Sequence, residues 1–203
     1  MSNPIENLKQ KILKSFNISL LKEFQNRLNF PINDGRLKYF NYDYEFSSKC
    51  FFALEMGLDN NKHFDILDIS CGMGYFSYIC KSLGHRIIST DIEDPVYDEP
   101  LRKIFGIEKL IFEYPNDPWR FKALPENIGT FDAIAALSVV PMSFWEQKDW
   151  NLFIEDSMNH MNINGILYIR PNSSKGLEQL KSLAPKSIHY KKHTNDYVLF
   201  IKR

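Results

Sequence analysis

Near the N-terminus, hydrophobic residues recur at the three- and four-residue spacing of amphipathic helices. The first helix is predicted to begin at Asn3 and Pro4, because Asn is a preferred N-cap and Pro fits the first helical position. Two further helices are predicted, one over residues 20–28 and one from an N-cap at Asp43 to about residue 57. These segments indicate an N-terminal helical cap over residues 1–60.

From residue 64 onward, short apolar runs alternate with amphipathic segments, a pattern typical of strands buried in a parallel sheet and joined by helices. The predicted strands are 64–69, 85–90, 109–114, 131–137, 166–169, 187–192 and 197–202, and the predicted helices are 75–83, 98–105, 149–161 with Asp149 as its cap, and 174–183. A short turn between the last two strands predicts an antiparallel pair. The predicted fold class is α/β, a Rossmann-like, doubly wound, mostly parallel seven-stranded sheet with an antiparallel C-terminal strand, over residues 61–203.

The composition of the chain indicates which classes of binding partner to expect. The chain has 203 residues, with 25 Lys and Arg against 25 Asp and Glu, and no run of charge concentrates a positive surface for nucleic acid. The three cysteines show no metal-ligand spacing, the N-terminus lacks a signal sequence, and no apolar run reaches the length of a membrane span. We therefore expect a reduced, cytoplasmic protein with no metal and with no nucleic-acid or membrane partner.

The segment with the strongest chemical signal is residues 64–74, FDILDISCGMG. A buried strand ends near the carboxylate of Asp68, and Ser70, Gly72 and Gly74 follow at alternate positions before a helix. Glycines after a strand let the backbone approach a ligand, and the first turn of the next helix offers unpaired N–H groups. The same pattern is also compatible with an ordinary glycine-rich turn between a strand and a helix.

The spacing D-x-S-x-G-x-G resembles the first motif of class I S-adenosylmethionine-dependent methyltransferases, D/E-x-G-x-G-x-G. It differs from the G-x-G-x-x-G of dinucleotide-binding proteins. Ser70 stands where the family pattern has its first glycine, so a positive φ at this position carries a steric cost. The resemblance implies S-adenosylmethionine as the cofactor, with its methionine end held by Asp68 and by the turn through Ser70, Gly72 and Gly74.

A second carboxylate supports this interpretation. Asp91 ends the second predicted strand, 17 residues after Gly74, and strand ends carry the ligand in open α/β sheets. A carboxylate there can accept hydrogen bonds from the two hydroxyls of a ribose. Its alternative role is that of a helix cap or a partner in a surface ion pair. Ile92, the next residue, would give the adenine ring an apolar contact.

The resemblance extends over most of residues 64–202 and implies further contacts. Phe76 is assigned to the cofactor site, Asn116 or Asp117 would bind the adenine amino group, and Ser138 would meet both the sulfonium and the substrate. Residues 161–167, MNINGIL, resemble the family's L-x-P-G-G-x-L turn, with Asn at the proline position and Ile at the second glycine. We expect Asn164 and Gly165 to form this turn before the fifth strand.

The acceptor is harder to predict, because methyl transfer requires positioning and desolvation more than any particular catalytic group. The fourth strand ends without the Asn/Asp-Pro-Pro-Tyr/Phe signature of amino-group methyltransferases, and Ser138 is no ligand for a hard metal. We therefore expect a small-molecule acceptor. Its pocket is predicted to include Tyr42, Ser138 and Trp145, with other nearby aromatic side chains as further candidate walls, namely Tyr39, Phe40, Tyr44, Trp119 and Phe144.

Some alternatives stay open. Glu146, His160 and His189 are possible bases, each of which is also a plausible packing or surface residue, so no catalytic residue is assigned. A catalytically silent protein that binds S-adenosylmethionine or S-adenosylhomocysteine, as a sensor or scaffold, would show the same binding motif. An NAD(P)-dependent oxidoreductase is disfavoured by the glycine spacing.

Overall fold

The computed structural model describes residues 3–28, 30–31, 34–112, 121–183 and 188–203. The helices are α1 (Pro4–Leu13), α2 (Ile18–Leu28), α3 (Tyr42–Glu55), α4 (Tyr75–Ser82), α5 (Pro95–Lys103), α6 (Gln147–Asn159) and α7 (Ser174–Ser182). The strands are β1 (Asp65–Ile69), β2 (Arg86–Asp91), β3 (Lys109–Ile111), β4 (Phe131–Leu137), β5 (Met161–Arg170), β6 (Ile188–His193) and β7 (Val198–Lys202). Short 3-10 helices occupy Gly35–Phe40, Glu126–Ile128 and Val140–Phe144.

The strands form one seven-stranded sheet in the order β3-β2-β1-β4-β5-β7-β6. Strands β1 to β5 run parallel to one another, whereas β7 pairs antiparallel with both β5 and β6. The strand order reverses between β1 and β4, which is where open α/β sheets bind ligands. The predicted fold, including its antiparallel C-terminal end, is confirmed.

Two hydrophobic clusters cover the two faces of the sheet. Alternate residues of a strand point to opposite faces, so Ile66 of β1 joins one cluster and Leu67 joins the other. The first cluster packs helices α1 to α5 on one face, and the second packs α6 and α7 on the other. Helix α3 lies beside α4 in the first cluster, so the N-terminal segment reaches the sheet close to the turn after β1.

Several predicted helix ends are corrected by the capping contacts. Asn3 caps α1 as predicted, because its Oδ1 accepts a hydrogen bond from the Ile5 N–H at 3.1 Å. The N-cap of α3 is Asn41 and not Asp43, which lies in the first turn. The N-cap of α6 is Glu146, and Asp149 accepts from the Glu146 N–H at 2.9 Å as the third residue of a capping box.

The fifth strand also differs from the prediction. It begins at Met161, and the predicted turn at Asn164 and Gly165 lies inside it as a bulge. Asn164 has a φ of 62°, which Asn tolerates better than most residues, and the pairing register with β4 shifts at this point. None of the helices in the described part of the chain combines the length and hydrophobicity needed to cross a bilayer.

Candidate ligand site at the carboxyl ends of β1, β2 and β4

The turn after β1 is shaped by three left-handed residues at alternate positions. Ser70, Gly72 and Gly74 have φ values of 60°, 54° and 89°. Two of these positions are glycine, for which this conformation costs little. Ser70 adopts it with a Cβ, so the predicted steric cost at this position is present in the folded chain.

The two glycines have different reasons to be glycine. A Cβ at Gly74 would lie 2.3 Å from Cδ1 of Leu101, so this residue is required for the packing of α5 against the start of α4. A Cβ at Gly72 would meet no atom within 4 Å, and Gly72 lines an open cavity. Gly72 is therefore the glycine that leaves room for a ligand, while Gly74 caps α4 without a side-chain hydrogen bond to its first turn.

Asp91 is joined directly to this turn. Its Oδ2 accepts a hydrogen bond from the Gly72 N–H at 2.7 Å, and its Oδ1 accepts one from the Ile92 N–H at 2.8 Å. Burial raises the pKa of Asp91, and these two backbone donors oppose that rise. Each carboxylate oxygen keeps acceptor capacity beyond one backbone bond, so the group is fixed in orientation and can still accept from a ligand.

Asp68 is the more deeply buried of the two acids. Its Oδ2 accepts from the Ser77 hydroxyl at 2.5 Å, and Ser77 shares a second hydrogen bond with the Ser89 hydroxyl at 2.8 Å. Burial raises the pKa of Asp68 to about 6, against the lowering effects of Ser77 and of the Lys49 charge. Ser77 and Ser89 thus fix one carboxylate oxygen, and the cavity lies against the same side chain.

A cavity of about 230 Å³ lies over the carboxyl ends of β1, β2 and β4. It brings together seven of the residues predicted from the sequence: Asp68, Ser70, Gly72, Phe76, Asp91, Ile92 and Ser138. It also contains residues that the motif analysis did not select, namely Glu45, Lys49, Cys71, Met73, Tyr75, Asp94, Tyr97, Leu137, Val139 and Val140. Tyr39, one of the candidate aromatic walls, lines it as well.

Two of the predicted pocket residues lie elsewhere. Tyr42 is half-buried on the first turn of α3, with Lys22 over its ring, and does not line the cavity. Trp145 is buried in the second hydrophobic cluster, where its ring packs against Trp150 at 4.9 Å between centroids. Phe40 is a core residue, while Tyr44 and Phe144 are exposed. Asn116, Asp117 and Trp119 lie outside the described residues.

Two of the three candidate bases, Glu146 and His160, do not line the cavity. Glu146 caps α6, and the His160 ring is hydrogen-bonded to the Gly129 carbonyl at 3.0 Å, near Asp156. His189 lies on β6, and its side chain is outside the described set. Among the described residues, no group of His, Cys, Asp and Glu side chains has the arrangement of a metal site.

Two of the residues missed from the sequence come from α3. Glu45 and Lys49 are one helical turn apart and face the cavity, with Lys49 Nζ 3.6 Å from Glu45 Oε2. The sequence signal for α3 was its apolar stripe, which includes Phe46 and Cys50, and an i, i+4 acid and base pair on a helix is ordinarily a solvent-exposed pair. Here Glu45 is only 6% exposed, so the pair is not solvent-exposed in this fold.

The end of β4 lines the far side of the cavity, and the end of β5 contacts it through Ser138. Ser138 follows β4 with a φ of 62°, and its Oγ accepts a hydrogen bond from Arg170 Nη1 at 3.1 Å. Asn172 donates to the Ser138 carbonyl at 2.7 Å. Two strained serines, Ser70 and Ser138, therefore lie at the two strand ends that border the switch in strand order.

Comparison with solved structures agrees with this architecture. The Thermoplasma acidophilum protein 1320 matches with a TM-score of 0.54 at 15% identity, covering 100% of this chain and 98% of that one. A ribosomal protein L11 methylase from Lactobacillus delbrueckii subsp. bulgaricus matches with a TM-score of 0.51 at 17% identity, covering 77% of each chain. A putative O-methyltransferase from Klebsiella pneumoniae matches with a TM-score of 0.52 at 11% identity, covering 100% of this chain and 90% of that one.

This chain has the class I methyltransferase fold. No family model and no curated protein matches the sequence, so the identification comes from the structure. In terms of the class I methyltransferase fold, the cavity lies at the switch point where a ligand is expected, and the acid and glycine residues that the motif selected border it.

Proposed function

We propose that this protein is an S-adenosylmethionine-dependent methyltransferase that acts on a small-molecule acceptor. The observation that carries the proposal is the 2.7 Å hydrogen bond from the Gly72 N–H to Asp91 Oδ2. It joins the glycine turn after β1 and the acid ending β2 at the wall of one cavity, where a nucleoside and an amino-acid chain can be held together. The class I methyltransferase fold supports the same conclusion.

The residues of the cavity fit the proposed cofactor. Asp91 would accept from the ribose hydroxyls, while Ile92 and Tyr97 give the base apolar contacts at the same end. Gly72 offers unobstructed backbone, and Asp68 would accept from the methionine ammonium group. The buried carboxylates therefore lie at two points of the cavity, one suited to a sugar and one suited to a cationic amine.

The chemistry assigned to the protein is positioning and the exclusion of water. S-Adenosylmethionine, when bound, supplies a methyl group already activated by a sulfonium centre. The chain contributes a largely apolar site, in which Leu137, Val139 and Phe76 provide apolar walls. Holding the acceptor in line with the methyl group can lower the barrier by several kcal/mol without a covalent catalyst.

A small acceptor is supported by the size and surroundings of the cavity. A cavity of about 230 Å³ is of a size suited to small-molecule ligands. The N-terminal segment contributes Tyr39, Glu45 and Lys49 to the lining, so part of the cavity wall comes from outside the sheet. The balance of 25 basic and 25 acidic residues gives no general attraction for nucleic acid.

The proposal is tested by ligand binding before and after removal of the ribose acceptor. Wild-type protein is titrated with S-adenosylhomocysteine, S-adenosylmethionine, NAD and NADP by calorimetry and thermal shift. Saturation at 100 times the dissociation constant should add about 2.7 kcal/mol to the free energy of unfolding for the adenosyl ligands alone. Asp91→Ala should weaken S-adenosylhomocysteine binding by about 1.5 to 3 kcal/mol, roughly 10- to 150-fold, by removing charge-assisted hydrogen bonds.

Asp59→Ala is the matched control, since Asp59 is an exposed acid in the turn that follows α3. It should leave the affinity within twofold. Stabilisation by NAD or NADP in place of the adenosyl ligands would move the proposal to an oxidoreductase. Binding without transfer of radiolabelled methyl to any acceptor in a metabolite extract would favour the silent binding protein.

A further inference from the structure

A stripe of three side chains on α3, two of them charged, faces the carboxyl edge of the sheet. Glu45, Lys49 and Phe52 lie on one face of the helix at i, i+4 and i+7, and all three are buried or largely buried. The Lys49 side chain is 18% exposed, and its nearest carboxylate is Glu45 at 3.6 Å, longer than a good charge-assisted hydrogen bond. Lys49 is therefore only weakly neutralised within the folded chain.

Arg170 is a second cation beside this stripe. Its guanidinium lies 5.5 Å from the centre of the Phe52 ring, and Lys49 Nζ lies 5.5 Å from the same centre. Arg170 donates to Ser138 Oγ at 3.1 Å, and within the described ranges no carboxylate lies within 4.0 Å of it. Two cations thus lie near one aromatic ring. The buried carboxylates that act on Lys49 are Glu45 and, from a greater distance, Asp68 of β1.

Burial acts on the charges of this group in opposite directions. It raises the pKa of Glu45, the only acid on the stripe, and it lowers the pKa of Lys49. Both shifts express the cost of holding a charge away from water without a close partner. An anion that enters beside Lys49 and Arg170 would offset that cost, and Ser138 would supply a hydroxyl next to it.

The position in the sheet separates this group from the cofactor end of the cavity. The two acids assigned to the cofactor lie at the carboxyl ends of β1 and β2. Arg170 lies at the carboxyl end of β5, on the other side of β4. Neighbouring strands are about 4.8 Å apart, so Arg170 starts roughly 10 Å from β1. Ser138, at the end of β4, lies between the two groups.

We propose that Lys49 and Arg170 form the acceptor subsite and bind a carboxylate or another oxyanion of the acceptor, which is therefore a small organic acid. This inference rests on the proposed methyltransferase function and gives its acceptor class. Arg170 presents a planar pair of donors suited to an oxyanion, and Lys49 adds a point charge beside the same Phe52 ring. Glu45 keeps Lys49 directed along the helix face toward the cavity.

The test uses full-length protein saturated with S-adenosylhomocysteine. It is titrated by calorimetry with small aliphatic and aromatic carboxylic acids of four to ten carbons, each paired with its uncharged primary amide. We expect at least one acid to bind tenfold or more tightly than its amide. Lys49→Met and Arg170→Met should each reduce this preference to threefold or less, while the affinity for S-adenosylhomocysteine stays within threefold.

Two exposed cations supply matched controls. Lys62→Met and Arg102→Met change the net charge equally and should leave the acid preference unchanged. Lys49→Arg and Arg170→Lys keep the positive charge at each position, so they report on the subsite even if a methionine variant is unstable. These two variants should retain most of the preference.

Distinct results would overturn the inference. One is a wild-type protein that shows no acid preference, or a preference that survives in Lys49→Met and Arg170→Met alike. Another is a tenfold loss of S-adenosylhomocysteine affinity in both variants with unchanged binding of methylthioadenosine, which lacks the amino-acid carboxylate. That result would assign the two cations to the cofactor. Failure of wild-type protein to bind S-adenosylhomocysteine would instead overturn the proposed function itself, and the acceptor subsite with it.

Discussion

The two ends of the cavity are built in different ways. The end formed by β1 and β2 depends on backbone geometry. Ser70, Gly72 and Gly74 are left-handed at alternate positions, and two backbone N–H groups orient Asp91. The end bordered by α3 and β4 depends on side chains. Lys49 and Arg170 of β5 lie near the Phe52 ring, and Glu45 pairs with Lys49. The shape of a turn is set by its backbone, whereas the charge of a side-chain cluster can be changed by a single substitution.

This contrast indicates how the two ends would divide the work of a methyltransferase. A backbone-defined site suits a ligand whose structure never varies, because few substitutions can retune it without disturbing the turn. A side-chain site suits the variable partner, since a change of one residue changes the charge presented. We therefore expect substitutions at the β1 end to act on stability and cofactor binding, and those at the β5 end to act on acceptor choice.

The largest expected effect concerns the backbone-defined end. Gly74→Ala places a Cβ 2.3 Å from Cδ1 of Leu101 at a residue with a φ of 89°. The overlap and the left-handed strain together should lower the free energy of unfolding by about 2 to 4 kcal/mol. Urea denaturation followed by circular dichroism measures it.

Gly72→Ala is the internal control for that variant. Gly72 is also left-handed, with a φ of 54°, but an added Cβ meets no atom within 4 Å. Its stability loss should be only about 1 kcal/mol, from backbone strain alone. Equal losses in the two variants would show that contact with α5 is not what requires glycine at position 74.

The same contrast explains which parts of the molecule the sequence reveals. The order of strands follows from apolar runs and turn residues, and β4 is predicted with its observed bounds because six of the seven residues from Phe131 to Leu137 are apolar. The start of β5 is missed, since Asn164 and Gly165 have turn chemistry whether they end a strand or form a bulge inside one. Local sequence alone does not distinguish these cases.

The candidate site also contains some residues that the sequence reveals and others that it does not. Asp68, Gly72 and Asp91 belong to a local motif and to the strand next to it, so their spacing in the sequence reports their proximity. Lys49 and Arg170 are 121 positions apart and meet only because α3 crosses the carboxyl edge of the sheet. Tyr42 and Trp145 were selected for being aromatic, and aromatic side chains are more often packing residues than ligand contacts.

A second prediction concerns the pH dependence of stability. The pKa of Asp68 rises from 3.8 to about 6 in the folded protein, chiefly through burial. The folded state therefore binds the proton more tightly than the unfolded state, and stability falls as pH rises from about 4 to about 6. At about 1.4 kcal/mol per pKa unit, the ionised Asp68 costs on the order of 2 to 3 kcal/mol at pH 7.

Asp68→Asn removes this titration and can still accept the Ser77 hydrogen bond. The difference in unfolding free energy between the variant and wild type should therefore grow in favour of the variant between pH 4 and pH 6 and then level off. Cofactor affinity should fall in the same variant, because a neutral amide replaces the carboxylate. Denaturation midpoints at several pH values, with S-adenosylhomocysteine titrations at pH 7, measure both effects.

Asp65 provides a control of opposite sign. Its hydrogen bonds with Arg86 lower its pKa, so the ionised form stabilises the folded state above its ordinary pKa. Asp65→Asn should be less stable than wild type near pH 7, and this deficit should shrink as pH falls through the ordinary value. A similar pH dependence in both variants would mean that the raised pKa of Asp68 is not the cause.

The smallest effect compares two serines that share one backbone conformation. Ser70 and Ser138 have φ values of 60° and 62°, so replacing either by glycine relieves a left-handed strain of about 1 to 2 kcal/mol. Glycine also adds about 0.4 to 1 kcal/mol of unfolded-state entropy, which leaves a net gain of about 0.5 to 1 kcal/mol for Ser70→Gly. At Ser138 the same replacement also removes the hydrogen bond from Arg170, worth about 1 kcal/mol, so the net change should be close to zero. Chemical denaturation of the two variants measures the difference in their free energies of unfolding. An equal gain in both would show that the Ser138 hydroxyl does not hold Arg170 in place. That result would weaken the argument that side chains define the end of the cavity next to β5.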